Sequence, residues 1–315
     1  MENILEIKNL NLFFGNYQAL YDVNLVLKKG ELHALVGESG CGKTMTAMSI
    51  MRLIPKTATI KSGEIIFNGE DLLKYNEKSM RELRGNKIAL IPQDPMTSLN
   101  PLYTIGNQLI ESIRAHSKVS EHQAERKALE VMDLVSIPES KNKLNYYPHE
   151  FSGGMKQRII IAMALATNAE LIIADEPTTA LDVTIQKQIM DLLNDIKKEF
   201  NTTILLISHD LALVSNYADY ISVMYSGHVV EEASASEFFK NPIHPYSIAL
   251  LNSLPTRNPA LKLKTIEGAP PSLKEQISGC KFHPRCELFK ENVCDRANVV
   301  LTEKSQNHFC ACLVK

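Results

Sequence analysis

The chain has 315 residues, enough for two or three structural units, and its 44% hydrophobic and 22% charged content is that of an ordinary globular protein with a substantial core. Lys plus Arg (34) nearly balances Asp plus Glu (36) without a long basic stripe, which argues against nucleic acid as a partner. The longest purely apolar run, IIIAMALA (159–166), is far shorter than the roughly 18 residues of a membrane-spanning helix, and MENILEIKNL lacks the basic and apolar pattern of a leader, so the chain is expected to stay in the cytosol.

In chain order, ILEIKNLNLFF and ALYDVNLVL read as two strands around a Gly15-Asn16 turn, an antiparallel flap. Residues 32–36 are a short buried strand. It runs into GESGCGKT (37–44) and then a helix over 44–54 that Pro55 stops. Further strands are expected at 64–67, 88–91, 171–174, 204–207, 221–225 and 228–230, most of them suited to a parallel sheet flanked by helices. From Asp94 to about Thr167 the texture is helical. There Ser120 is the expected N-cap of HQAERKALEVMDLVSI, with Ala124, Leu129, Met132 and Val135 as its apolar stripe, ending near Pro138. After about residue 236, Pro, Lys and Asn become denser in NPIHPYS, LPTRNPALKLK and EGAPPSL. The expected division is an α/β P-loop core over 1–93 and 168–235, a helical insertion over 94–167, and a C-terminal extension over 236–315.

The spacing GxxxxGK[ST] carries a definite chemistry. Glycines let backbone N–H groups converge on phosphate oxygens at the positive end of a helix. Here Gly37, Glu38, Ser39, Gly40, Cys41 and Gly42 form the cradle, Lys43 reaches the β and γ phosphates, and the Thr44 hydroxyl ligates Mg²⁺. A glycine turn with an incidental lysine is the blander reading, and the strand before and helix after it argue against that. In LIIADEP (171–177) a buried strand ends in two acids where ligands of open α/β sheets collect. Asp175 is the expected Mg²⁺ partner, and Glu176 polarises the water that attacks the γ phosphate. Alone, an Asp-Glu pair there would be an ordinary N-cap; the Lys43 loop decides against it. Gln93, after KIALIP, offers a contact to Mg²⁺ or the attacking water. His209, in ILLISHD, offers one to the γ phosphate, although a lone histidine is more often structural. FSGGMKQR (151–158) is a glycine-rich helix start with no use inside its own phosphate site.

Together these segments resemble the ATP-binding cassette (ABC) family of ATPases over about residues 4–235. GESGCGKT resembles its Walker A segment, Gln93 its Q-loop, FSGGMKQR its signature, LIIADEP its Walker B, TALD (179–182) its D-loop and His209 its switch histidine. The signature usually reads LSGGQ, so Phe151 and Met155 depart from it while Ser152, Gly153 and Gly154 are kept. The resemblance implies an α/β cassette with an antiparallel flap and a helical insertion, which hydrolyses Mg·ATP held between two head-to-tail copies. Walker A of one copy would face Ser152, Gly153 and Gly154 of the other, with Asp182 also at the nucleotide interface. It also implies that Phe14 stacks on adenine; Phe13 and Tyr17 are nearby competitors, and a plain core aromatic is the bland alternative.

QDPMTSLNP, YPHEFSGGMKQR, NPIHPYSIALLNSLP and EGAPPSL are more closely similar to the ATPase subunits of dipeptide and oligopeptide importers, a group that includes nickel importers. That similarity implies two ATPases, identical or different, at the cytoplasmic face of the membrane beneath two permeases, fed by an extracellular solute-binding protein. Nickel as cargo and a soluble, non-transport ABC ATPase are the alternatives. A P-loop kinase or GTPase would leave FSGGMKQR and TALD without purpose.

Five of the six cysteines follow residue 279, gathered in GCKFHPRCELFKENVC and HFCAC. Thiols so close in a cytosolic segment are metal or cluster ligands more readily than disulfides. Similarity to the importer C-terminus implies a [4Fe-4S] cluster on Cys280, Cys286, Cys294 and Cys312, with Cys310 extra. Free, partly buried thiols are the blander reading.

Overall fold

A computed structural model describes residues 2–254 and 265–315; the stretch 255–264, which holds most of LPTRNPALKLK, lies outside the described residues. The strands are β1 (Asn3–Phe14), β2 (Tyr17–Lys28), β3 (Leu32–Val36), β4 (Ala58–Phe67), β5 (Glu70–Asp71), β6 (Ile88–Ile91), β7 (Leu171–Asp175), β8 (Thr203–Ser208), β9 (Tyr220–Tyr225), β10 (His228–Ser234), β11 (Thr302–Ser305) and β12 (His308–Cys310). The helices are α1 (Lys43–Met51), α2 (Glu77–Leu83), α3 (Pro95–Ser98), α4 (Ile105–His116), α5 (Glu121–Leu134), α6 (Ser140–Lys143), α7 (Gly153–Leu165), α8 (Val183–Phe200), α9 (Leu211–Val214), α10 (Ala235–Lys240) and α11 (Pro245–Asn252). Residues 1–73 with 207–315 form one compact unit and residues 74–206 another.

In the first unit β1 pairs antiparallel with β2 on one side and β4 on the other, the expected flap. Period two sets its buried face: Val23, Leu25 and Leu27 of β2 are buried, while Asp22, Asn24, Val26 and Lys28 point outward. A second set runs in the order β11, β12, β10, β9, β3. There β3 and β9 are parallel, and all five residues of β3 are buried, as an apolar run in a covered parallel strand should be. The helix expected over 44–54 stops at Met51, before Pro55 can act. Arg52 takes the left-handed conformation at φ 50°, and its N–H is donated to the Met48 and Ser49 carbonyls.

The C-terminal extension is built into this first unit. Its β12 pairs with β10, placing Cys310 opposite Glu231 and Phe309 opposite Glu232. The fully buried Glu231 carboxylate accepts from the Ile243 and His244 amides at 2.8 Å and from His308 Nε2 at 2.7 Å, tying the start of α11 and strand β12 to one strand. Burial holds His244 down to about 4. Its ring is therefore neutral, and Nδ1 accepts from the Tyr246 amide as the N-cap of α11.

In the second unit β6 and β7 are parallel, with Ile88 opposite Leu171. Helix α5 begins at a capping box in which the Ser120 and Gln123 side chains exchange bonds with each other's backbone. Its buried stripe is Ala124, Ala128, Val131 and Met132; Leu129, expected in the stripe, is only half-buried because its position lies off the 3.6-residue face. The long apolar run falls in α7, where Ile159, Ile160, Ile161, Ala162, Ala164 and Leu165 are all buried. A helix apolar nearly all round belongs inside a protein core as readily as in lipid. Among the described residues no helix is long and apolar enough to cross a membrane.

Candidate functional site

The phosphate loop joins β3 to α1 inside the first unit. Gly37 has φ 152°, and a Cβ there would lie 2.2 Å from the Met224 carbonyl oxygen, so only glycine fits where the loop leaves the sheet. Lys43 is buried and its ammonium donates to the Gly37 and Glu38 carbonyls at 2.8 and 3.0 Å. The loop thus solvates its own cation. Cys41 is buried, which pushes its thiol above the usual range, and its carbonyl accepts from the Gly227 amide at 2.8 Å. Thr44 is exposed in the first turn of α1.

Glu38, in the middle of this loop, is held from the C-terminal extension. Its amide donates to the Tyr246 hydroxyl at 2.8 Å, and its carboxylate accepts from the two terminal nitrogens of the Arg285 guanidinium, at 2.7 and 3.1 Å. Sequence reading missed both partners. HPYS stood out only within an importer-like segment and HPRC only within the cysteine-bearing one, and nothing local in them points 208 or 247 residues back along the chain.

The second unit carries the acids. Asp175 is buried at the end of β7. Glu176, the next residue, has φ 47°, a left-handed conformation that a side chain of this kind adopts only when its surroundings impose it. Its carboxylate accepts from Gln93 Nε2 at 2.9 Å and from the Thr179 hydroxyl at 3.0 Å. Gln93 and Glu176, assigned separately to one reaction from sequence, are therefore neighbours. Ser152 is the N-cap of α7, accepting from the Met155 amide at 3.3 Å. A Cβ on Gly154 would meet Ile185 at 2.7 Å, which explains the second glycine of the pair by packing. Asp182 caps α8, accepting from the Thr184 and Ile185 amides at 3.1 and 3.0 Å. Gln186 donates to the Thr178 and Leu181 carbonyls and fixes the intervening turn. His209 lies in the first unit, exposed, one residue past β8.

At the flap tip Phe14 pairs with Tyr17 across the Gly15-Asn16 turn. The Lys61 ammonium sits 3.9 Å over the Phe13 ring, giving that aromatic a cation of its own on the opposite pleat from Phe14. In the extension, Cys280, Cys286, Cys294 and Cys312 line one small pocket with Phe282, His244 and His283, and Cys310 is not among them. Burial raises the Cys280 thiol to about 11 and Cys286 above its usual range. Among the described residues no three His, Cys, Asp or Glu side chains stand together as ligands of a single metal ion. The expected four thus share a pocket that is not a ready-made site for a single metal ion.

The ABC transporter family model matches residues 20–179, a span that holds the Lys43 loop, the signature and the Asp175-Glu176 strand end. This chain belongs to the ABC transporter family. A second model, of the oligopeptide/dipeptide transporter C-terminal region, matches residues 230–294 of this ABC protein. A probable peptide ABC transporter ATP-binding protein of Sinorhizobium fredii is 49% identical to it, over 98% of this chain and 94% of the relative. The oligopeptide transport ATP-binding protein OppD of Bacillus subtilis is 48% identical over 89% and 80%, and the dipeptide transport ATP-binding protein DppD of the same organism 44% over 99% and 95%. Among solved structures, a dimeric post-hydrolysis ATP-binding cassette bound to ADP and Pi is similar at TM-score 0.66 and 28% identity, covering 73% of this chain and 98% of that one. The ABC protein therefore has the α/β cassette fold and is an ATPase of the family.

Proposed function

We propose that this ATPase drives an importer of dipeptides or oligopeptides, binding Mg·ATP between two cassettes at the cytoplasmic face of a membrane. One observation carries the cargo class: the cassette is followed by a C-terminal region of the oligopeptide/dipeptide transporter type, and relatives alike over nearly their whole length are peptide transport ATP-binding proteins. Two membrane permeases and an extracellular binding protein complete the assembly, and the partner cassette is a second copy or a related chain. Exposed Met96, Leu102 and Tyr103, just after Gln93, give the second unit an apolar surface suited to a permease.

The division of labour follows from the two half-sites. The 37–44 loop and Lys43 bind the phosphates, and Phe14 stacks on adenine. Thr44, Gln93 and Asp175 offer hydroxyl, amide and carboxylate oxygens, the hard donor set that suits Mg²⁺, whose charge offsets that of the phosphates when bound. Glu176 orients and deprotonates the attacking water, steered by Gln93 and Thr179, and His209 contacts the γ phosphate. The capped start of α7 at Ser152, with Gly153 and Gly154, presents a helix N-terminus to the nucleotide of the other cassette, beside Asp182. Closure over an intact γ phosphate and opening after hydrolysis convert the chemistry into motion. Cys280, Cys286, Cys294 and Cys312 form a thiol set that a [4Fe-4S] cluster would require deprotonated, and a cluster, being larger than one ion, holds its cysteines further apart.

The deciding experiment reconstitutes the chain with candidate permeases and measures ATP-dependent uptake of labelled di- and oligopeptides and of nickel. Peptide uptake lost on Lys43→Ala supports the reading; nickel uptake alone would overturn the cargo.

A further inference from the structure

A carboxylate is a poor neighbour for a polyphosphate, yet Glu38 stands inside the loop that cradles it. Its charge is matched by Arg285, whose side chain is only 6% exposed against 25% for Glu38. Arg285 is not free to swing. Its Nε donates to the Glu267 carbonyl at 2.9 Å, its second terminal nitrogen to the Gly268 carbonyl at 3.1 Å, and its first to the Tyr225 hydroxyl at 3.3 Å. Tyr225, Tyr246 and Phe282 pack ring against ring around the same spot, with centroids 4.6 to 5.3 Å apart. The pairing with Glu38 holds the guanidinium pKa above its usual value. All of these residues belong to the first unit.

We propose that Arg285 is a positioning residue for the nucleotide site: it neutralises Glu38 and, with Tyr246, locks the phosphate loop in its binding shape, so that the C-terminal extension sets the affinity for Mg·ATP. The fork is bidentate, so it fixes direction as well as charge. This rests on the ATPase reading above.

Arg285→Met in the full chain removes the charge and leaves the Glu38 carboxylate without its guanidinium inside the phosphate loop; Mg·ATP binding, followed by titration calorimetry, is expected to weaken about tenfold or more. Glu38→Gln added to Arg285→Met removes that carboxylate and is expected to recover most of the loss. A role in packing alone predicts no such recovery, since the second substitution restores no contact. An unchanged Kd in Arg285→Met, or a loss that Glu38→Gln leaves in place, overturns the proposal. Glu38→Gln by itself keeps the shape of the side chain and the Tyr246 contact, and thermal unfolding of each variant shows whether it is folded. Should Arg285→Met prove unfolded, the salt dependence of Mg·ATP affinity in Glu38→Gln against the parent chain gives the same test, and identical dependences overturn it. Lys43→Ala separates the two levels: if it binds Mg·ATP normally the ATPase reading fails, whereas normal binding by Arg285→Met alone removes only this inference.

Discussion

At Gly37 and Glu176 the backbone departs from what most residues tolerate, for different reasons. Gly37 is squeezed against a strand carbonyl, so Gly37→Ala is expected to cost at least about 2–3 kcal/mol by overpacking and strain, read as a lower denaturation midpoint with weaker Mg·ATP binding. A variant as stable as the parent would show that the strand yields. Glu176 takes its left-handed φ with Gln93 and Thr179 gripping its carboxylate. Glu176→Gln keeps the shape and removes the base, and should lower steady ATP turnover about 10²- to 10⁴-fold while Mg·ATP still binds. Turnover within a few-fold of the parent chain would remove Glu176 from the role of base. These positions were legible in the sequence because a phosphate loop and an acid-ended strand are local patterns. The strain at Glu176 was not, since a left-handed glutamate has no signature in residue type.

At the level of elements, the best-read helix shows where pattern reading slips. The stripe of α5 follows spacing: Ala124, Ala128, Val131 and Met132 obey the 3.6-residue period, whereas Leu129, the residue after Ala128, is turned about 100° away from it. The end of α1 was misplaced because Pro55 is conspicuous and a left-handed Arg52 is not. Strand β12 was invisible to sequence reading, being three residues held by a strand some eighty positions earlier. Its anchor makes a sharp prediction. Glu231 and His308 are wholly buried, so His308→Ala strips a partner from a buried carboxylate and is expected to cost about 3–5 kcal/mol. Denaturant titration of the variant should show this, and a midpoint within error of the parent would mean that water replaces the imidazole.

For the whole molecule, the residues proposed above for binding and hydrolysis fall in two compact units. Lys43, Thr44 and His209 belong to one, and Gln93, Asp175, Glu176 and the Ser152 helix start to the other. Six motifs in order made the family readable without knowledge of how the units meet. The links from the extension to the phosphate loop were not readable, because they join segments more than two hundred residues apart. If the exposed Met96, Leu102 and Tyr103 face a permease, then Leu102→Asp with Tyr103→Asp should release the chain from membranes of cells expressing its permeases while leaving Mg·ATP binding intact; retention on the membrane would place the contact elsewhere. If the four thiols hold the proposed cluster, iron and sulfide assays on anaerobically purified chain should find both, lost together in Cys286→Ser; finding neither, nor zinc, would leave four free thiols in the pocket.

The grip of Arg285 and Tyr246 on Glu38 also works in reverse. Binding free energies are reciprocal, so whatever help the nucleotide draws from that distant segment it must return as added order there. The backbone amides around Cys280 and Cys286, none of which belongs to the phosphate loop, should then exchange their hydrogens more slowly once Mg·ATP is bound.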